Sequence, residues 1–398
     1  MSASGDIYLD YQATTPCDPR VVDAMLPWLS ARPANPHSLH GFGRAAHAAV
    51  EIARASVAAL VGAMADEVIF TSGATEATNI ALRGVLGGRK AQAITSTIEH
   101  SCVRDTLAAL KAHGTRVVEI PVSADGIVDV EAFAGALSKS TVIASVMAAN
   151  NEVGTLQPIS EIAGLCRAGD VIFHTDAAQA AGKIQLDVAQ MNIDLLSISG
   201  HKIYGPQGVG ALYCRRDLLP QLRPVTTGGG QEQGIRPGTV PVALCVGLGA
   251  ACDIARTEME DDRKHALRLR AVLLDTLSER LEHFQVNGSL DERLAGNLNI
   301  WFDGVDAEAL LSHLPDVAMS MGSACSSASI APSHVLVAMG LSSSEAESSV
   351  RIGFGRGISE SAMRRGGERI AEEVLRLRTG GISTKVSGRP ASKKQAVS

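Results

Sequence analysis

Aromatic residues are scarce in this chain of 398 residues: seven Phe, four Tyr and two Trp make up 3% of it. A surface that stacks nucleic-acid bases needs more of them. The seven cysteines (17, 102, 166, 214, 245, 252 and 325) are odd in number and contain no C-x-x-C pair, which disfavours a disulfide framework or a zinc ribbon. No run of about 18 apolar residues occurs, so no membrane span is expected. The opening MSASGDIYLDYQATT lacks a basic region followed by an apolar one, so no signal peptide is expected. These absences lead to the expectation of a reducing, cytoplasmic setting. The last 15 residues carry four basic groups and no acid; subtracting them from the net charge of −6 leaves −10. An acidic body disfavours direct nucleic-acid binding, and 380–398 reads as a disordered basic tail.

Glycine, by contrast, is abundant: 39 residues, roughly a tenth of the chain against a usual share of about 7%. Apolar residues at 45% are ordinary for a folded protein. From residue 43 the pattern alternates. Helices are predicted over 43–62, 76–84, 102–113, 128–137 and 158–168. Short apolar strands are predicted over 67–71, 92–97, 116–122, 141–148, 171–174, 193–199 and 209–213. Strands that read as continuous apolar runs between helices predict a mostly parallel sheet covered on both faces, an α/β architecture. A long helix over 240–283 looks like a bridge to a smaller α/β unit. That unit has strands at 297–302, near 317 and at 349–354, and helices at 307–314 and 360–377.

Five segments could carry chemistry. Thr71-Ser72-Gly73-Ala74-Thr75-Glu76 joins a strand to a helix; its small residues and free amides suit a phosphate, although an ordinary helix cap reads the same way. Ser199-Gly200-His201-Lys202 ends an apolar strand. A desolvated lysine there would be a nucleophilic amine, as a Schiff base requires, whereas on its own it also reads as a surface lysine in a Gly-rich turn. His174-Thr175-Asp176 ends another strand and could hold a protonated ring nitrogen, or simply cap a helix. Cys325, within SMGSACSSAS, sits among small polar residues as an exposed thiol would, and is either a nucleophile or a bystander. Arg351 and Arg356 bracket RIGFGR, where an arginine fork could clamp a carboxylate or make a surface ion pair. A phosphate cradle, an aspartate and a lysine, in this order on a parallel sheet, are together the kit for pyridoxal phosphate. Two motifs fail on context. G41-F-G-R-A-A46 fits a dinucleotide fingerprint but follows no strand. S199-x-x-K202 lacks its S-D-N and K-T-G companions.

At these residues the chain resembles the cysteine desulfurases of the NifS/IscS type, fold-type-I pyridoxal-phosphate enzymes of the class-V aminotransferase family. The matching motifs are YLDYQATTP at 8–16, NPHSLHGFG at 35–43, FTSGATEATN at 70–79, IEH at 98–100, NNEVGTLQPI at 150–159, HTDAAQ at 174–179, SGHKIYGPQGVG at 199–210, GGGQEQGIRPGT at 228–239 and SMGSACSSAS at 320–329.

The resemblance implies a seven-stranded sheet in a large domain, 15–256, and a small domain formed by 1–14 and 257–379. It implies Lys202 as the Schiff-base lysine. Ala74, Thr75, Ser199 and His201 would bind the phosphate, and Thr239 would reach the phosphate of a partner subunit in a homodimer. Asp176 would hold the ring nitrogen, Gln179 the phenolic oxygen, and His100 would stack on the ring and move protons. Asn151 and Arg356 would hold the carboxylate of L-cysteine, and Cys325 would accept the sulfur as a persulfide. No resident metal is implied, although Cys325 could ligate a nascent iron–sulfur cluster. Sulfur acceptors would be an iron–sulfur scaffold or the tRNA-thiolation machinery. A selenocysteine lyase or an aminotransferase on the same scaffold is the alternative.

Overall fold

The computed structural model describes residues 5–322 and 332–379. Its main sheet has seven strands in the order Val68–Thr71, Gly210–Cys214, Leu195–Ser199, Ile172–Asp176, Thr141–Ser145, Gln92–Ser96 and Arg116–Ile120. The strand Gly210–Cys214 runs antiparallel to both its neighbours, and the other pairings are parallel. Every residue of 92–96, 195–199 and 210–214 is buried, which is why none of those segments carries a charge. The edge strand Arg116–Ile120 shows exposed and half-buried positions instead.

Parallel strands need crossovers, and helices supply them. Ala74–Leu86 begins three residues after Thr71, and Ser101–Lys111 precedes the edge strand. The expected helix boundaries hold to within two residues, including an earlier start at Gly41 for the helix ending at Val61, except that the long helix expected to reach 283 ends at Ser278. Pro19–Leu29, opened by Pro19 behind an Asp18 cap, was not anticipated.

The longest helix, Val242–Ser278, has 37 residues and spans about 55 Å at 1.5 Å per residue. Its first half buries Cys245, Leu248, Ala251 and Cys252 in the apolar cluster around the main sheet. Its second half buries Leu269, Leu273 and Leu277 in a separate cluster with Leu298, Ile300, Ile352 and Ile370. Gly249 lets it approach the helix Gly41–Val61: a Cβ there would lie 2.6 Å from the Ala53 Cα. The second cluster lies against an antiparallel three-stranded sheet, Ser349–Gly353, Asn297–Phe302 and Phe284–Val286. The N-terminal strand Ile7–Tyr8 pairs in parallel with Val317–Ala318, and Ile7 and Leu9 join that cluster. Residues 7–9 therefore pack beside the C-terminal part of the chain, and the polypeptide then crosses to the main sheet. No described helix is long and apolar enough to cross a membrane.

Candidate active site

At the C-terminal ends of the parallel strands lies a cavity of about 380 Å3. This is where open α/β sheets place ligands, because the loops leaving the strands diverge there. Its walls show how the sequence builds it. The strand Val68–Thr71 ends in a loop whose Gly73 has φ +153°, and a Cβ at Gly73 would meet nothing within 4 Å. The helix that follows has no side-chain cap, so its first amides, at Ala74 and Thr75, are open towards the cavity. On the other side Gly210 must be glycine: a Cβ would lie 2.3 Å from the Ile198 carbonyl and 2.6 Å from the Gly73 Cα.

Asp176 is the last residue of its strand, 5% exposed; its Oδ1 accepts from the Ala178 amide at 2.9 Å. Behind it a buried polar chain runs from Thr78 Oγ1 to Ser197 Oγ (3.1 Å), then His174 Nε2 (3.0 Å), and from His174 Nδ1 to Ser145 Oγ (2.8 Å). Burial pulls His174 down to about 4, so its ring is neutral near pH 7.

Lys202 lies in a tight turn, Gly200–Lys202, after the strand Leu195–Ser199. Its Nζ donates to the Ala13 carbonyl at 2.8 Å and to the Gln12 carbonyl. His201 turns its Nδ1 to Thr14 Oγ1 at 3.1 Å. Burial first, and then the charges of Lys202 and Lys183, pull it down to about 4. Gln179 donates Nε2 to the same Gln12 carbonyl at 3.0 Å. The N-terminal segment thus closes the floor around the lysine.

His100 caps the helix Ser101–Lys111, its Nδ1 accepting from the Cys102 amide at 3.2 Å. Cys102 donates towards Asp176 Oδ2 at 3.6 Å, and burial followed by the Asp176 charge pushes its thiol far up, so it is no thiolate. Glu99, fully buried beside His100, is pushed up to about 8 by burial. Its Oε1 is held by Ser96 Oγ and the Met147 amide, while Oε2 has no partner among the described residues.

Nine of the expected residues line this one cavity: Ala74, Thr75, His100, Asn151, Asp176, Gln179, Ser199, His201 and Lys202. Two do not, and Cys325 lies outside the described residues. Thr239 is exposed, in the loop before the long helix, and does not border the cavity. Arg356 requires a correction. It is not a wall residue; it pairs with Asp18 at 2.8 Å and with Asp262, and lies over the Tyr204 ring at 4.4 Å. The chain turns away after Gly353, and the Arg356 amide donates to Tyr204 Oη at 2.9 Å, which fixes the side chain outside.

The arginine in the wall is Arg351, 1% exposed, on the strand Ser349–Gly353. It donates to Asp10 Oδ1 at 2.9 Å and to the Asn151 carbonyl at 3.2 Å, and its Nε has no partner among the described residues. Gln12, Ala13 and Cys102 also line the cavity and were missed from the sequence. The H-x-C spacing at 100–102 was the one signal that could have drawn attention to Cys102.

The class-V aminotransferase family model matches residues 7–363. The chain is 47% identical to a cysteine desulfurase IscS of Rickettsia bellii over 376 residues, 94% of this chain and 92% of that one. It is 50% identical to a probable mitochondrial cysteine desulfurase of Dictyostelium discoideum, over 94% of this chain and 84% of that one.

The chain belongs to the class-V aminotransferase family, in its cysteine desulfurase branch.

Solved structures of the family agree in fold. A NifS-like protein superposes with a TM-score of 0.87 at 33% identity, covering 93% of this chain and 99% of that one. The structure described as SspA in complex with cysteine superposes with a TM-score of 0.78 at 37% identity, covering 87% and 98%. Family membership accounts for the strand order and for the place of the cavity at the strand ends.

Proposed function

We propose that the chain is a pyridoxal-phosphate-dependent cysteine desulfurase that takes sulfur from L-cysteine, releases L-alanine and carries the sulfur as a persulfide on Cys325. The observation that carries this reading is the convergence of Lys202, Asp176 and the uncapped amides of Ala74 and Thr75 on one cavity. The donor set fits the cofactor. Open amides at a helix start, beside the hydroxyls of Thr75 and Ser199, suit a phosphate. A buried carboxylate suits a protonated pyridine nitrogen, and an amine suits an aldehyde carbon.

Bound there, the cofactor supplies an electron sink that acidifies the Cα proton of an attached amino acid and loosens its Cβ–S bond. The protein does the rest. Lys202 would anchor the cofactor and take the Cα proton. Asp176, fixed by the Ala178 amide and backed by the His174 chain, would keep the ring nitrogen protonated. Gln179 would serve the phenolic oxygen. Arg351, a wall residue whose Nε has no partner among the described residues, would hold the substrate carboxylate together with Asn151, in place of Arg356. His100 moves a proton at the sulfur. The Cys325 thiolate attacks that sulfur: an S–S bond forms, the Cβ–S bond breaks, and the electron pair and a proton end on Cβ of the alanine.

The two separate apolar clusters support a division into a large domain, 15–256, and a small one from 1–14 and 257–379. Exposed Thr239 fits a role towards the cofactor of a second copy in a homodimer. Six cysteines are free among the described residues, which fits a reducing cytoplasmic setting. The IscS name of the bacterial relatives favours iron–sulfur assembly as the destination of the sulfur.

Formation of alanine from L-cysteine with no keto acid present tests the reaction. Absolute dependence on a keto acid would make the chain an aminotransferase, and turnover confined to selenocysteine would make it a lyase.

A further inference from the structure

Lys183 has no part in the chemistry above. It lies four residues after Gln179, and its Nζ donates to Gln179 Oε1 at 3.3 Å. It lines a second cavity of about 50 Å3, with Tyr11, Tyr204, Asp262 and Arg263 also in the walls. Gln12 borders both cavities and separates them.

An ammonium only donates hydrogen bonds, so Gln179 must turn its oxygen to Lys183 and its NH2 group the other way. That NH2 group donates to the Gln12 carbonyl at 3.0 Å, and the same carbonyl accepts from Lys202 Nζ. A single hydrogen-bonded chain, Lys183–Gln179–Gln12–Lys202, therefore has its polarity set at one end by a cation.

We propose that Lys183 is a positioning residue: it fixes the Gln179 amide with its donor end towards the main cavity, and its charge opposes a positive charge on the Lys202 nitrogen. This rests on the cofactor reading of the main cavity.

The surroundings leave that charge uncompensated. No ion pair to Lys183 occurs among the described residues, and Asp262 in the same cavity wall is taken by Arg356, whose Nε lies 3.1 Å away. Arg263 adds a further cation. Burial raises the phenols of Tyr11 and Tyr204, the latter to about 12, so neither offers an anion near neutral pH. His201 is neutral there as well. Burial, and then the charge of Lys202, brings Lys183 itself down to about 7. Its opposition to charge on Lys202 thus fades above that pH.

The experiment is a pH titration of the visible spectrum of the holoenzyme, which reports the protonation of the nitrogen joining Lys202 to the cofactor. Lys183→Met should raise the midpoint by about one pH unit, since a nearby like charge is removed. Lys183→Arg stays charged at all pH values and should hold the midpoint at or below that of the wild type. A Lys183→Met midpoint equal to wild type, or Lys183→Met and Lys183→Arg both shifted upward together, overturns the inference. If Lys183→Met does not fold, Lys183→Arg decides alone: an upward shift contradicts the proposal. A wild-type protein that forms no coloured, borohydride-reducible adduct would instead sink the cofactor reading, so the two failures are distinguishable.

Discussion

The Arg351 guanidinium lies 2.9 Å from the Asp10 carboxylate, joining residues 341 positions apart at the wall of the cavity. The pair is almost fully buried, with 2% and 16% of the two side chains exposed. Asp10 holds one terminal nitrogen and the Asn151 carbonyl accepts from the other, while Nε has no partner among the described residues. The N-terminal segment thus both floors the lysine and aims the arginine.

Replacing Arg351 with Lys should raise KM for L-cysteine by tenfold or more, because a lysine cannot reproduce the fork (about 2 kcal/mol for a charge-assisted hydrogen bond). Asp10→Asn should do the same more weakly, by loosening the arginine. Steady-state kinetics separates the two; unchanged KM in Arg351→Lys would return the carboxylate role to another residue.

Arg356 should behave oppositely. Its partners are Asp18, Glu258, Asp262 and the Tyr204 ring, all outside the cavity. Arg356→Ala should cost about 1–3 kcal/mol of stability, as the loss of one member of a partly buried ion cluster does. KM for L-cysteine should stay near its wild-type value. Denaturant titration beside kinetics checks both halves.

Gly210→Ala should weaken cofactor retention and stability together. The added methyl would strike the Ile198 carbonyl and the Gly73 Cα, so either the strand pairing or the loop under the phosphate must move. The ratio of visible to protein absorbance after dialysis measures retention. A variant that keeps its colour and its melting temperature would show that the cradle is more pliable than this packing allows.

Glu99 supplies a pH dependence whose sign can be worked out. Its folded-state carboxyl is pushed up to about 8, whereas an unfolded glutamate titrates at about 4.3. Between those values the unfolded chain has released a proton that the folded one keeps. The group's contribution to stability is therefore fully present below about pH 4.3 and declines as pH rises towards 8. Glu99→Gln, isosteric and neutral, should flatten that decline and gain about 1 kcal/mol or more at pH 8. Equal pH slopes of the denaturation midpoint in both proteins would place the Glu99 proton elsewhere.

Much of this was legible in the sequence, for identifiable reasons. The buried strands announced themselves because both faces are covered, so 195–199 and 210–214 are uncharged, mostly apolar stretches. The long helix announced itself because it lacks glycine after Gly249 and proline after Pro241. The strands Ile7–Tyr8 and Phe284–Val286 did not, since two or three residues at a sheet edge carry no periodicity. Ala74, Asp176 and Lys202 were readable because each sits where a strand hands over to a loop or helix. The choice between Arg351 and Arg356 was not readable. One lies in the middle of the strand Ser349–Gly353 and the other three residues beyond its end, and the residue types alone do not say which one borders the cavity. Gln12 and Ala13 were hidden for a related reason: they act through backbone carbonyls, which leave no trace in residue type.

The central claim is that sulfur leaves L-cysteine onto Cys325 at a site built around Lys202. The most direct test incubates the holoenzyme with L-cysteine and no reductant, then reads the mass of the peptide containing Cys325. That peptide should gain one sulfur atom, sensitive to reductant and matched by released alanine, and should gain none in Lys202→Ala. Alanine turnover at the wild-type rate in Cys325→Ser, with no sulfur retained on the wild-type peptide, would contradict it.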